Sequence, residues 1–223
     1  QLLLSGANVV ALDHSEFALY NLEKDLSQNF FKFKIKIILG SINDERILKK
    51  INKEEKIQIV FHAAAYKHVN LLENNISLAV ENNIFGTKNL LDVFNYKNCE
   101  IVIISTDKAA KPKSVLGATK RISEIICQNY RRYQRIDSKI KIVRFGNVFG
   151  SKGSAIELFI DQINKGNPIT LTDFRAKRYF MSIQEACNLV INVTNLKENR
   201  KIYILDMVQQ ILLKDIIYKR ANI

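Results

Sequence analysis

Five short apolar runs decide what this chain can fold into: NVVALD (Asn8–Asp13), KIKIILG, IQIVFHAA, EIVIIST and KIKIVRFGNVFG. Most are apolar at consecutive positions rather than at every second one, so the strands they predict need cover on both faces. Helical patterns fill the intervals. SEFALYNLEKDL has helical spacing with Ser15 placed to cap it, and NDERILKKIN predicts a short helix. LAVENNIFGTKNLLDVF predicts a helix with Leu78, Ile84, Leu90 and Leu91 as its apolar positions, and a long helix is expected over 114–133.

Strands apolar on both faces, alternating with helices, predict an α/β fold: a Rossmann-like, doubly wound parallel sheet. Beyond Gly150 the alternation weakens. A helix is expected near Ala155–Lys165, a short strand at PITLT, a helix from Ser182 and a strand at KIYILD. The expected division is a dinucleotide-binding domain over 1–150 and a small C-terminal substrate-binding region over 151–223. A dinucleotide-binding sheet normally opens with a strand and a Gly-x-Gly-x-x-Gly turn, about 20 residues before an acid such as Asp13. This sequence starts inside that interval, and QLLLSGA reads as the tail of a helix. The first strand and its Gly-rich turn are therefore read as missing, and Gly6 alone cannot replace them.

The formal net charge of +12 invites a nucleic-acid reading. The basic residues are scattered among Ile and Asn along the chain, with no zinc finger, aromatic RNA-binding signature or long basic run. An anionic small-molecule substrate fits better, and no nucleic-acid partner is expected. The three cysteines are widely spaced and lack metal-ligand spacing, which points to a reducing compartment, no disulfide framework and no metal. No apolar run approaches the roughly 18 residues that span a bilayer. A cytoplasmic location and no membrane segment in this sequence are expected.

Several residues stand where a sheet of this kind holds ligands. Asp13 closes the first strand, where a carboxylate accepts both hydroxyls of an adenosine ribose; taken alone it reads equally as a cap on the next helix. His14 and Ser15 beside it leave room for a 2′-phosphate, so NAD and NADP both stay open. After the third strand, Ala63 and Ala64 let a cofactor approach the backbone, and Lys67 is placed to meet a phosphate. His62 and His68, six apart across a strand–loop junction, read as structural. Asn83 is placed to bond backbone groups of a neighbouring strand, and Gly86 permits close packing. At the end of the fourth strand, Thr106, Asp107 and Lys108 put hydroxyl, carboxylate and ammonium toward the cleft, and Lys120 follows on the next helix.

The motifs LDHSEFALYNLE, VFHAAAYKHV, STDKA, GATKR, RFGNVFGSKGS and RYFMSIQEA, in this order, resemble the CapD-type polysaccharide-biosynthesis proteins. These are extended short-chain dehydrogenase/reductases, typified by UDP-N-acetylglucosamine 4,6-dehydratases. The resemblance implies NAD or NADP, a UDP-sugar substrate, a homo-oligomer and a three-part reaction: oxidation at C4, loss of water across C5 and C6, and hydride return to C6. It implies that Lys108 is the C5 base and Asp107 the acid, with Thr106 hydrogen-bonded to O4 and Lys120 bonded to the nicotinamide ribose. It places Asn147 at the nucleotide-sugar diphosphate or sugar, Arg178 at the UDP phosphates, and Ser41 and Ile42 beside the adenine, where the family usually has Asp in place of Ser41. Asn70 and Val208 also depart from the family pattern.

Short-chain dehydrogenases usually carry Tyr four residues before the helical lysine. Here that residue is Leu116, as apolar as the Met found in configuration-retaining dehydratases. Asp107 then takes the O4 proton as well. A UDP-sugar 4-epimerase is the competing reading, although epimerisation has no use for a C5 base. An inactive relative, lacking the pyrophosphate site, is the third.

Overall fold

The structure, a computed structural model, describes residues 1–27, 34–96, 98–130, 139–150, 155–171, 173–204 and 210–221. Its first residues do end a helical turn. The Ser5 amide bonds the Gln1 carbonyl at 3.0 Å, the Gly6 amide bonds that of Leu3 at 3.0 Å, and the Ala7 amide bonds that of Leu2 at 3.1 Å. Those last two bonds form a helix-terminating pair that needs a left-handed residue, and Gly6 supplies it at φ 83°.

The first half alternates as its apolar runs require: β1 Val9–Asp13, α1 Glu16–Ser27, β2 Ile35–Leu39, α2 Glu45–Glu54 and β3 Ile59–His62. Ser15 caps α1 by accepting the Ala18 amide at 3.2 Å, and Asp44 caps α2 by accepting that of Arg46 at 3.0 Å. After β3 come α3 Val69–Glu73, α4 Ile76–Val80, a π turn over Glu81–Phe85 and α5 Gly86–Phe94. The π turn interrupts the single helix expected there, and Leu78 is exposed rather than part of its buried stripe. β4 Glu100–Thr106 leads through a 3₁₀ turn, Asp107–Ala109, into α6 Val115–Asn129 and β5 Lys139–Phe145. The expected extension of α6 to residue 133 lies outside the described residues.

The C-terminal part comprises β6 Asn147–Val148, α7 Ala155–Asn164, β7 Lys177–Met181, α8 Ile183–Asn192, β8 Ile202–Ile204, β9 Gln210–Leu212 and α9 Leu213–Ala221. The strand expected at PITLT is not formed at 168–171; Thr172 is outside the described residues. Local bonds take its backbone groups instead. The Gln162 side chain accepts the Thr170 amide at 3.1 Å, and the Leu171 amide bonds the Ile169 carbonyl at 3.1 Å. The strand forms further on, in KRYFM at Lys177–Met181. β9 and α9 were not legible in the sequence, and Val208 lies outside the described residues.

β3, β4, β5 and β8 form one parallel sheet in that order, β1 and β2 a parallel pair, and β6, β7 and β9 a small mixed sheet. Alternate residues of β4 and β5 feed two cores, which explains the consecutive apolar positions. Ile101, Ile103, Ile140 and Ile142 pack with Leu48 and Ile51 of α2 and with Leu90, Leu91 and Phe94 of α5. Val102 and Val143 face the other way, onto Val190 and Val193. Each such buried side chain contributes about 1.5–3 kcal/mol. Val10 and Leu12 of β1 join the first core. Among the described residues no hydrogen-bonded ladder joins β1 to β3. The fold is thus α/β and Rossmann-like, with no Gly-x-Gly-x-x-Gly turn anywhere in the 223 residues.

Candidate active site

The C-terminal ends of β1 to β5 carry the residues singled out above. At the end of β4 three of them share one oxygen. Thr106 Oγ1 donates to Asp107 Oδ1 at 2.9 Å, and Lys108 Nζ donates to the same atom at 3.0 Å. The Lys108 amide closes the turn onto Thr106 Oγ1 at 3.4 Å. Asp107 and Lys108 keep 38% of their side-chain surface exposed, enough to meet a ligand.

Helix α6 rises against this turn, capped by Ser114, whose Oγ accepts the Gly117 amide at 3.2 Å. The approach is close enough to require glycine: a Cβ at residue 117 would lie 2.6 Å from the Lys108 carbonyl oxygen. One turn on, Lys120 is 5% exposed. Burial pulls its ammonium down to about 8. His62, at the end of β3, is buried and held down to about 3, first by desolvation and then by the Lys120 charge. Its Nε2 meets Thr87 Oγ1 at 2.9 Å, so it acts as a neutral structural group. Leu116 packs with Leu72 and Ala79. The position where a tyrosine hydroxyl would be sought is therefore apolar core.

Asp13 Oδ1 accepts the Ser15 amide at 2.8 Å, which is the capping role, while 48% of its side chain stays exposed. His14 meets Tyr66 edge to face with ring centroids 6.0 Å apart, so the loop after β1 touches the loop after β3 that carries Ala63, Ala64 and Lys67. Asn83 fixes that second loop. Its Oδ1 accepts the Tyr66 amide at 2.8 Å, and its Nδ2 donates to the Tyr66 carbonyl and to Thr119 Oγ1, both at 3.2 Å. The expected backbone bonding therefore falls on the loop just past β3. Asn83 lies in the π turn, and its carbonyl accepts both Thr87 Oγ1 and Ser123 Oγ at 2.7 Å.

After β2, Ser41 Oγ accepts the Asn43 amide at 3.1 Å. Ile42 is buried under Gly86, where a Cβ would lie 2.5 Å from its Cδ1, so its side chain belongs to the core. Asn147 and Arg178 lie on adjacent strands. Asn147 pairs with Phe180, two residues from Arg178 and on the same face of β7. Arg178 is exposed, with Nη1 bonding the Lys177 carbonyl at 2.7 Å. Among the described residues no group of three or more His, Cys, Asp or Glu could hold a metal, and no helix is long and apolar enough to cross a membrane.

Ser105, Gly117, Glu124 and Arg144 were missed in the sequence. The signal for two of them was present: Arg144 is a charge inside an apolar strand, and Glu124 falls one turn after Lys120 on the same helix face.

The family model described as polysaccharide biosynthesis protein matches residues 2–222. The chain is 40% identical to the probable polysaccharide biosynthesis protein EpsC of Bacillus subtilis and 41% identical to the capsular polysaccharide biosynthesis protein CapD of Staphylococcus aureus, over 93% of its length in both cases. It spans 35% of the length of each of those relatives. A UDP-glucose 4-epimerase of Rickettsia canadensis is 35% identical over 71% of the chain and 46% of the epimerase. Among solved structures, Pen from Bacillus thuringiensis superposes with a TM-score of 0.87 at 31% identity, over 96% of this chain and 64% of Pen. On these matches and the strand-end site that carries the STDK motif, the chain belongs to the polysaccharide biosynthesis protein family.

Proposed function

We propose that the protein modifies a nucleotide sugar as an NAD(P)-dependent UDP-N-acetylglucosamine 4,6-dehydratase. The observation that carries this reading is the single Asp107 oxygen that accepts both Thr106 and Lys108. It puts a proton acceptor, a proton donor and a hydroxyl within one hydrogen-bonded unit, which is what an elimination needs.

At the adenosine and nicotinamide ends the chain's residues fit NAD(P), while the Gly-x-Gly-x-x-Gly turn that would cradle its pyrophosphate is not among the 223 residues. Asp13 offers a half-exposed carboxylate to the ribose hydroxyls, Ala63 and Ala64 present no bulk at the end of β3, and Lys120 stands one turn above the Gly117 contact. Held there, NAD(P) would supply the hydride transfer between sugar C4 and C6. Thr106 holds O4, and Asp107 receives the O4 proton, because Leu116 brings no hydroxyl. Protonating Asp107 removes the partner that holds the Lys108 ammonium, so Lys108 passes a proton to solvent, to be regained at the end of the cycle, and acts as a neutral base. Lys108 then takes the C5 proton. Asp107 passes its own proton to the C6 hydroxyl, which departs as water, and Lys108 returns a proton to C5. Asn147 and Arg178 contact the nucleotide diphosphate, where a guanidinium suits phosphate oxygens. A homo-oligomer is part of this reading; the exposed Phe85, Ile122 and Ile125, on the π turn and α6, support it.

A UDP-sugar 4-epimerase is the second reading, favoured by the epimerase relative at 35% identity. The two separate cleanly. Full-length protein incubated with UDP-N-acetylglucosamine in heavy water is expected to give a 4-keto-6-deoxy sugar carrying solvent deuterium at C5. A C4 epimer without exchange overturns the dehydratase reading.

A further inference from the structure

Beneath the Asp107–Lys108 turn lies a buried ionic group that takes no part in the proton transfers above. Glu124 on α6 is fully buried. Its Oε1 accepts Ser105 Oγ at 2.6 Å and Arg144 Nε at 2.6 Å, while its Oε2 accepts Arg144 Nη2 and, at 3.0 Å, Arg121 Nη1. Burial works to raise this carboxyl, but the bonds from Arg144, Ser105 and Arg121 outweigh it and hold the group below its usual range. Arg144 Nη2 also donates to the Ala109 carbonyl at 3.4 Å.

We propose that Glu124 and Arg144 are positioning residues that clamp the Thr106–Asp107–Lys108 unit at both of its ends. Ser105 precedes the unit and Ala109 follows it, and one carboxylate–guanidinium pair ties both to α6 and β5. The function assigned to the clamp rests on reading Asp107 and Lys108 as acid and base. A stability role alone does not account for the pair. Buried ion pairs can be replaced by apolar residues of similar volume without loss of stability, because desolvation offsets their attraction. What apolar residues could not supply is directed bonds to a hydroxyl and a carbonyl that flank the reacting groups. The clamp complements Gly117, which brings α6 against the Lys108 carbonyl from the other side.

The test uses the full-length protein and the double variant Glu124→Gln/Arg144→Met, which removes both charges of the buried pair together. Amide hydrogen exchange, followed without substrate, is expected to speed up about tenfold or more over residues 106–112 and to stay unchanged over 101–104. With UDP-N-acetylglucosamine, kcat is expected to fall about thirtyfold while KM stays within about threefold. Unchanged exchange over 106–112, or a kcat within about twofold of the parent, overturns the clamp. If the double variant does not fold, Arg144→Lys serves instead. It keeps a charge against Glu124 but cannot span both Glu124 oxygens and the Ala109 carbonyl, so the same local exchange signature and a kcat loss of about three- to tenfold are expected; their absence overturns the proposal. A parent protein silent toward UDP-N-acetylglucosamine defeats the dehydratase reading and leaves the exchange result to decide the clamp.

Discussion

The two halves of the ligand-binding edge are built differently. At the end of β4 the reacting groups stand on a strand whose Ile101, Val102, Ile103 and Ser105 are buried, and Glu124, Arg144 and Gly117 reach them from distant parts of the chain. At the ends of β1 and β2 no strand residue is buried, and Asp13, Ser15 and Ser41 are held by bonds to residues two or three positions away. The β4 side, proposed to be catalytic, is thus fixed by tertiary packing, and the β1–β2 side, proposed to hold adenosine, by local turn and cap chemistry. Substitutions on the first side should change rate or global stability, whereas those on the second should change cofactor affinity and little else.

The sharpest contrast comes from Asp107→Asn, which removes the shared proton acceptor without changing shape. Its kcat should fall about 10²- to 10⁴-fold, with stability shifted by less than about 1 kcal/mol because the Asp107–Lys108 pair is partly exposed. Steady-state kinetics and thermal melts check both numbers. A large loss of stability would place the residue in the scaffold rather than the chemistry.

Next in size is a pH effect on the buried side. His62 has a folded value near 3 against an ordinary 6.5, so the unfolded chain binds its proton first as pH falls. Its contribution is whole above pH 6.5 and is lost progressively toward pH 3. Urea unfolding at pH 7 and pH 4 should differ by about 3 kcal/mol more in the parent than in His62→Gln. An equal pH dependence in both would remove His62 from the account.

Two glycines compare the halves directly. Gly117→Ala drives a Cβ into the Lys108 backbone carbonyl and should cost about 1–3 kcal/mol together with activity. Gly86→Ala drives a Cβ to 2.5 Å from Cδ1 and 2.8 Å from Cγ1 of the buried Ile42, so it too should cost about 1–3 kcal/mol, less what the gain in helix propensity returns. The smallest effect is expected for Asp13→Ala. NAD affinity, read by titration calorimetry, should weaken about tenfold, with stability changed by less than about 1 kcal/mol from the lost Ser15 bond.

The same division governs what the sequence disclosed. β1 to β5 and the helices α1, α2 and α8 follow from apolar runs and helical spacing, with Ser15 and Ser182 marking two of the helix starts, because strand burial and cap chemistry are local signals. The STDK unit was legible because it stands where a strand ends. PITLT misled because a strand needs a partner, and the Gln162 side chain took the Thr170 amide instead. The π turn at Glu81–Phe85 was invisible in the apolar pattern; within it the Asn83 carbonyl accepts Thr87 Oγ1 and, from distant α6, Ser123 Oγ. Glu124 and Arg144 left only a local signal, a charge one turn after Lys120 and a charge inside an apolar strand; their pairing over Ser105 exists only once α6 and β5 meet.

The central claim is that Lys108, fixed at the end of β4, is the base that removes the C5 proton. Full-length Lys108→Ala with UDP-N-acetylglucosamine in heavy water tests it, with the sugar followed by nuclear magnetic resonance. The account predicts C4 oxidation without solvent deuterium at C5 and without a 6-deoxy product. Deuterium entering C5 at the parent rate would contradict it.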